Sequence, residues 1–204
     1  MTEPGETDAT FSFLPHAIEF KPDGTRMFVV RNTGTLVYQY DLSTAWDVST
    51  ISFSTKYDVS DENQLRSLTF KPDGSRMYVT GNENEKIKEY SLSTPWDITT
   101  SNVTHVRDSV ALTSTDNNPR NIQFSKEGTE FYYAGNGSNN MHKFTLSTAW
   151  DVSTLSSSAT TFDLGDDRIN NMRGFIFTSS FSRLYVTNDN GKAALNKIFE
   201  YTLS

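Results

Sequence analysis

The chain repeats itself four times, and this constrains its fold more than any other property. Phe20-Lys21-Pro22-Asp23-Gly24-Thr25-Arg26-Met27-Phe28-Val29 returns nearly unchanged from Phe70 to Val79, and more loosely from Phe124 and from Phe177. The starts lie 50, 54 and 53 residues apart. A second segment, running from Leu42 through Trp46-Asp47 to Thr50, keeps the same step and recurs from Leu92 and from Leu146. A period of ~40–50 residues holding several short strands marks a β-propeller, one sheet per repeat.

The second repeat shows how a sheet follows from the residues. Leu65–Phe70 alternates, with Leu68 and Phe70 on one face. In Lys71-Pro72-Asp73-Gly74, proline presets φ, Asp bonds its own backbone and Gly takes the φ > 0 position of a turn. Arg76–Thr80, Lys86–Leu92 and His105–Leu112 read as the next strands, rich in β-branched and apolar residues. Ile87 recurs as Val37, Met141 and Ile198; Leu68 recurs as Ile18, Ile122 and Phe175, and these four are read as buried. The segment around each tryptophan reads as a connector, with Asp able to cap a single turn. The expected fold is all-β: a four-bladed β-propeller of four-stranded antiparallel sheets, in one domain over residues 1–204. Its repeats span roughly 14–60, 61–114, 115–165 and 166–204. The fourth stops at Leu203-Ser204 before its tryptophan and outer strand, and Phe181 stands where the others have the turn glycine. Residues 9–13 have strand character and are expected to supply the missing outer strand and close the ring. The alternative is that the chain is half of a larger ring.

Composition narrows the function. A net charge of −7 argues against nucleic acid and anionic membranes as partners. No cysteine is present, so disulfides and thiolate metal sites are excluded. No apolar run reaches the ~20 residues of a membrane span, and the acidic start is no signal peptide. Synthesis in the cytoplasm, as a monomer or homodimer, is expected.

The two motifs together resemble β-propeller repeats in proteins of marine bacteriophages and environmental bacteria. That resemblance implies a virion-associated or cell-surface part without an established catalytic site, and it hands over no functional residues. The expected function is therefore a non-catalytic structural or adhesive module of a virion or surface assembly, with other virion or surface proteins or glycans as partners and no cofactor. A glycan-binding lectin and a carbohydrate-active hydrolase or lyase are the alternatives.

Candidate ligand positions come from the repeat register. Four residues before each strand-opening phenylalanine stand His16, Arg66, Arg120 and Arg173, a recurring basic set in an acidic chain. Guanidinium forks at such positions suit a small anion, or an ion pair with an acidic residue such as Asp58 or Asp116. Asn32, Asn82 and Asn136, with Asp189 as the fourth, follow the second strands. Amides there suit hydroxyl-rich ligands, and equally serve as turn punctuation. Trp46, Trp96 and Trp150 read as packing for their connectors, or as a stacking surface for sugars. Asn188-Asp189-Asn190-Gly191 lacks the ligands of a calcium loop, and no metal is expected. No catalytic residue is singled out: the three histidines fall at different repeat positions, and no HExxH, GxSxG or P-loop pattern occurs. Carboxylate pairs that meet only in space leave no mark in sequence.

Overall fold

A computed structural model describes residues 15–31, 34–60, 62, 64–112, 119–135, 140–164, 172–188 and 197–203. The fold is all-β, and its four antiparallel sheets are blades of a β-propeller. Sheet 1 contains β1 (Pro15–Phe20), β2 (Arg26–Arg31), β3 (Leu36–Leu42) and β4 (Ile51–Asp58), and sheet 2 contains β5 (Leu65–Phe70), β6 (Arg76–Gly81), β7 (Ile87–Leu92) and β8 (Val103–Asp108). Sheet 3 contains β9 (Pro119–Phe124), β10 (Glu130–Gly135), β11 (Met141–Thr145) and β12 (Thr160–Phe162). Sheet 4 contains β13 (Met172–Phe177), β14 (Arg183–Asn188) and β15 (Lys197–Thr202), three strands among the described residues. Strands pair in chain order within each sheet. The expected closing strand, residues 9–13, lies outside the described residues.

The chain divides into two compact units, residues 1–84 with 88–107, and residues 85–87 with 108–204. In the first, Phe28, Val30 and Val37 of sheet 1 pack on Leu68, Phe70, Met77 and Val79 of sheet 2. In the second, Tyr132, Ala134 and Met141 of sheet 3 pack on Phe175, Phe177, Leu184 and Val186 of sheet 4. Successive side chains point to opposite faces, and the near-continuous buried runs of β2, β6 and β10 show that their sheets are packed from both sides.

The two sequence motifs meet in space. Gly24, Gly74 and Gly128 adopt φ of 73°, 74° and 71°. Each accepts the backbone N–H of its own repeat's tryptophan at 2.9–3.0 Å, and the indole lies across the glycine Cα. The tryptophans themselves have φ of 62–67°. Beyond them, Asp47 and Asp151 cap one turn of 3-10 helix by accepting the N–H of Ser49 and Ser153, each at 3.0 Å. In the turns, burial pushes the Asp73 carboxyl up, but hydrogen bonds from Lys71 and Ser75 outweigh this and hold it at about 2.

Phe181, in place of the fourth glycine, also has positive φ, 53°. Its ring stacks on Phe177 with centroids 5.0 Å apart. The tryptophans of the other repeats stand over Phe20, Phe70 and Phe124 at 5.3, 4.9 and 5.1 Å. Phe181 thus supplies from the turn the ring that the other repeats take from the connector.

Candidate functional site

The four basic positions share one structural cause. In every sheet the pairing of the first two strands slips by one residue near the strand start: between Pro15 and Ala17, Leu65 and Ser67, opposite Ala134 and Gly135, and between Met172 and Gly174. His16, Arg66, Arg120 and Arg173 are the extra residues of these β-bulges. A bulge leaves its residue out of the ladder and re-aims its side chain. The simple alternation that would align these four with Leu68 and its counterparts is therefore broken.

The first unit brings several predicted residues together. His16 Nδ1 donates to the Arg66 carbonyl at 2.5 Å, which fixes the imidazole tautomer. Arg66 is buried, and its Nη2 donates to Gln64 Oε1 at 2.7 Å. Asn82, just past β6, donates its backbone N–H to the Gln64 carbonyl at 3.0 Å. Its Oδ1 is buried and accepts no hydrogen bond from the described residues, and Thr80 Oγ1 is in the same state. In the second unit, Arg120 is half-buried and Arg173 exposed. Asn32, Asn136 and Asp189 lie outside the described residues.

Sequence reasoning missed Glu62. Its side chain is 2% exposed, accepts the Glu83 N–H on Oε1 at 2.7 Å, and lies across Gly81, where a Cβ would come within 2.3 Å of it. Gly81 pairs with Leu65, beside Arg66. A buried carboxylate, a buried guanidinium and an amide oxygen with no donor among the described residues are thus set around one end of the β5–β6 hairpin. Buried polar groups at such density are costly unless paired or used. The only cue in the sequence is that Glu62 stands just ahead of a strand, where no other repeat has glutamate.

A second carboxylate has an altered acidity. Burial pushes Glu19, on the Phe28 face of sheet 1, up to about 7 from the usual 4.5. Between those values the folded chain holds a proton that the unfolded chain has released, so stability falls as pH rises through this window. Glu19→Gln is expected to raise the melting temperature above pH 7, by roughly 1–3 kcal/mol of stability, and to leave it unchanged below about pH 4. Thermal melts from pH 4 to 8 check this. The counterpart in sheet 3 is already an amide, Gln123, whose Oε1 accepts the Phe177 N–H at 3.0 Å.

Among the described residues no group of His, Asp and Glu is arranged to hold a metal. In the second unit a cavity of about 420 Å³ is lined by Tyr132, Met141, Phe162, Leu164 and Tyr201, with Asp163 and Thr202 among its polar groups.

Residues 4–194 match the family described as "Lactonase, 7-bladed beta-propeller". No curated protein sequence matches the chain. Among solved structures, the chain is similar to a candidate 6-phosphogluconolactonase of Bacteroides uniformis, 16% identical over 97% of this chain and 57% of that one, with a TM-score of 0.61. It is similar to the periplasmic gluconolactonase PpgL of Pseudomonas aeruginosa, 14% identical over 94% and 53%, TM-score 0.55. Kuenenia stuttgartiensis hydrazine synthase gives 16% over 92% and 46%, TM-score 0.60. At these identities the likeness is one of fold, and the chain spans about half of each structure's length.

The family match corrects the functional expectation. A non-catalytic, adhesive part of a phage virion or surface assembly no longer stands, nor does the expectation that the chain is not an enzyme. The match reaches a propeller family, but nothing in it reaches the phage repeats or carbohydrate binding. The physical reason is that both repeated motifs are scaffold, glycine turn and tryptophan connector, and scaffold carries no information about chemistry. With four blades on the page and a family match running through nearly all of it, the chain belongs to the lactonase family of seven-bladed β-propellers.

Proposed function

We propose that the chain belongs to a hydrolase of sugar-derived lactones, and that the end of the β5–β6 hairpin supplies its reacting groups. The family membership carries this reading. The hairpin supports it, because a base and a stabiliser of the developing oxyanion promote ester hydrolysis, and Glu62 and Arg66 are both buried there. In the reaction, a water oxygen attacks the lactone carbonyl carbon and its proton passes to the Glu62 carboxylate. Charge develops on the carbonyl oxygen, where the Arg66 guanidinium stabilises it. The ring C–O bond then breaks, and the ring oxygen leaves as an alcohol by taking the proton back from Glu62. The product is an open hydroxy acid. The Asn82 amide oxygen is placed to accept from a sugar hydroxyl.

A pH-stat assay with glucono-1,5-lactone, its 6-phosphate and γ-butyrolactone, corrected for spontaneous opening, tests this. Turnover above background is expected on at least one sugar lactone. Glu62→Gln and Arg66→Lys should each lower kcat by roughly 10²-fold or more. No turnover by the parent on any of the three, or full turnover in both variants, overturns the reading.

A further inference from the structure

The second unit holds open a space that the first unit fills, and the repeat allows the two to be compared position by position. Strand pairing makes Tyr132 the counterpart of Phe28, Met141 of Val37, and Phe162 of Tyr57. Leu203 is the counterpart of Leu92, each donating its N–H to the serine of its own turn, Ser182 or Ser75. In the first unit these positions close over Ile98, which comes from the connector after β7 and is fully buried. The Ile98 N–H donates to Gln39 Oε1 at 2.9 Å, and the nearby Trp96 carbonyl accepts Arg26 Nη1 at 2.6 Å.

In the second unit no connector residue enters between sheets 3 and 4 among the described residues. Phe181 takes the part of the tryptophan. The part of Ile98 is the cavity of about 420 Å³, whose walls include all four counterparts, Tyr132, Met141, Phe162 and Leu203. Leu92 is 5% exposed, whereas Leu203 is 39% and Phe162 40% exposed, so the cavity opens to solvent at that rim. Packed interiors hold few voids larger than a water, whose share of liquid volume is ~30 Å³. An apolar space of this size is in the range of small-molecule sites.

Two observations define what it takes. The first is that the polar ties are inverted. Glu130 holds the register position of Arg26, and Lys143 that of Gln39. A connector would set its N–H against an ammonium and its carbonyl against a carboxylate. Instead these two side chains pair with each other at 2.9 Å, which balances the Lys143 charge. The second is the wall itself. Four rings, Tyr132, Phe162, Phe177 and Tyr201, surround the space, and Asp163 adds a carboxylate at the exposed rim. Aromatic faces attract cations, and Lys143 Nζ already lies 6.0 Å from the Phe162 centroid. A carboxylate accepts from several donors at once and donates to none.

We propose that this cavity binds a small organic amine, its apolar body between the rings and its ammonium group at Asp163. The site lies within the second unit and does not rest on the lactonase reading.

Calorimetric titration of the full chain with 2-phenylethylamine and with 3-phenylpropionate, a carboxylate of similar size, tests it. Saturable binding of one amine per chain is expected, with the carboxylate at least about tenfold weaker. Asp163→Asn, at an exposed position, should weaken the amine about tenfold and remove the preference over the carboxylate. Leu203→Trp, also at an exposed position, should fill the mouth and weaken both probes, with circular dichroism unchanged in either variant. The amine should also raise the melting temperature of the parent and not of Leu203→Trp. No saturable amine binding in the millimolar range, equal affinity for the two probes, or binding indifferent to both substitutions would each overturn the proposal. So would capture of a peptide of residues 43–50 in place of the amine, which would show that the cavity seats a connector.

Discussion

Gly74→Ala is expected to cost about 3–5 kcal/mol, among the largest losses from a single methyl group anywhere in the chain. Two effects add. Gly74 has φ of 74°, where an L side chain costs about 1–2 kcal/mol. The new Cβ would also lie 2.1 Å from the Trp96 ring, which cannot move without leaving its place against Phe28 and Phe70. Displacing a buried indole forfeits packing worth roughly another 2–3 kcal/mol. Gly34→Ala separates the effects: φ there is 107°, but nothing lies within 4 Å of the added carbon. It should cost about 1–2 kcal/mol, the backbone part alone. Urea unfolding of both variants gives the comparison. Equal losses would mean that the glycine–tryptophan contact contributes nothing.

Phe28→Ala is expected to be comparably damaging, about 3–5 kcal/mol. Phe28 is fully buried at the centre of the sheet 1–sheet 2 joint, 4.4 Å from the Phe70 ring and 6.3 Å from Trp96 by centroids. Two packed sheets cannot collapse into the hole without breaking their own pairing, so little of the lost contact is recovered. A lowered urea midpoint with an unchanged slope is the expected signature. A loss below about 1 kcal/mol would show that the joint repacks freely.

The sheets were legible because alternation and turn chemistry agreed in the first three repeats, and the period carried the fourth. Pro72-Asp73-Gly74 placed the turn of the second repeat, and β6, expected from Arg76, begins there. The bulges were not legible. They are slips in hydrogen-bond register that leave no trace in composition, so the equivalence of His16, Arg66, Arg120 and Arg173 could be read but not where they aim. Glu62 escaped because its burial depends on Gly81, across the hairpin, having no side chain. That glycine read only as a turn residue. Ile18 and Ile198 show the opposite limit: they are 55% and 72% exposed, against the buried position expected of Ile18. Their types and positions match those of buried partners, and a repeat pattern records what a face is made of, not whether another face covers it.

Phe181 bears on how such a chain can be copied and recombined. In three repeats a glycine yields room for an indole that arrives some 22 residues later. In the fourth the turn fills that room itself. The two arrangements exclude each other within one repeat, since a phenylalanine and a tryptophan would contend for the same volume. Duplication in whole periods preserves whichever arrangement is copied. A crossover falling between turn and connector could join a phenylalanine turn to a tryptophan connector, producing a collision. Genetic exchange among such repeats is therefore free at the loops between sheets and penalised inside them.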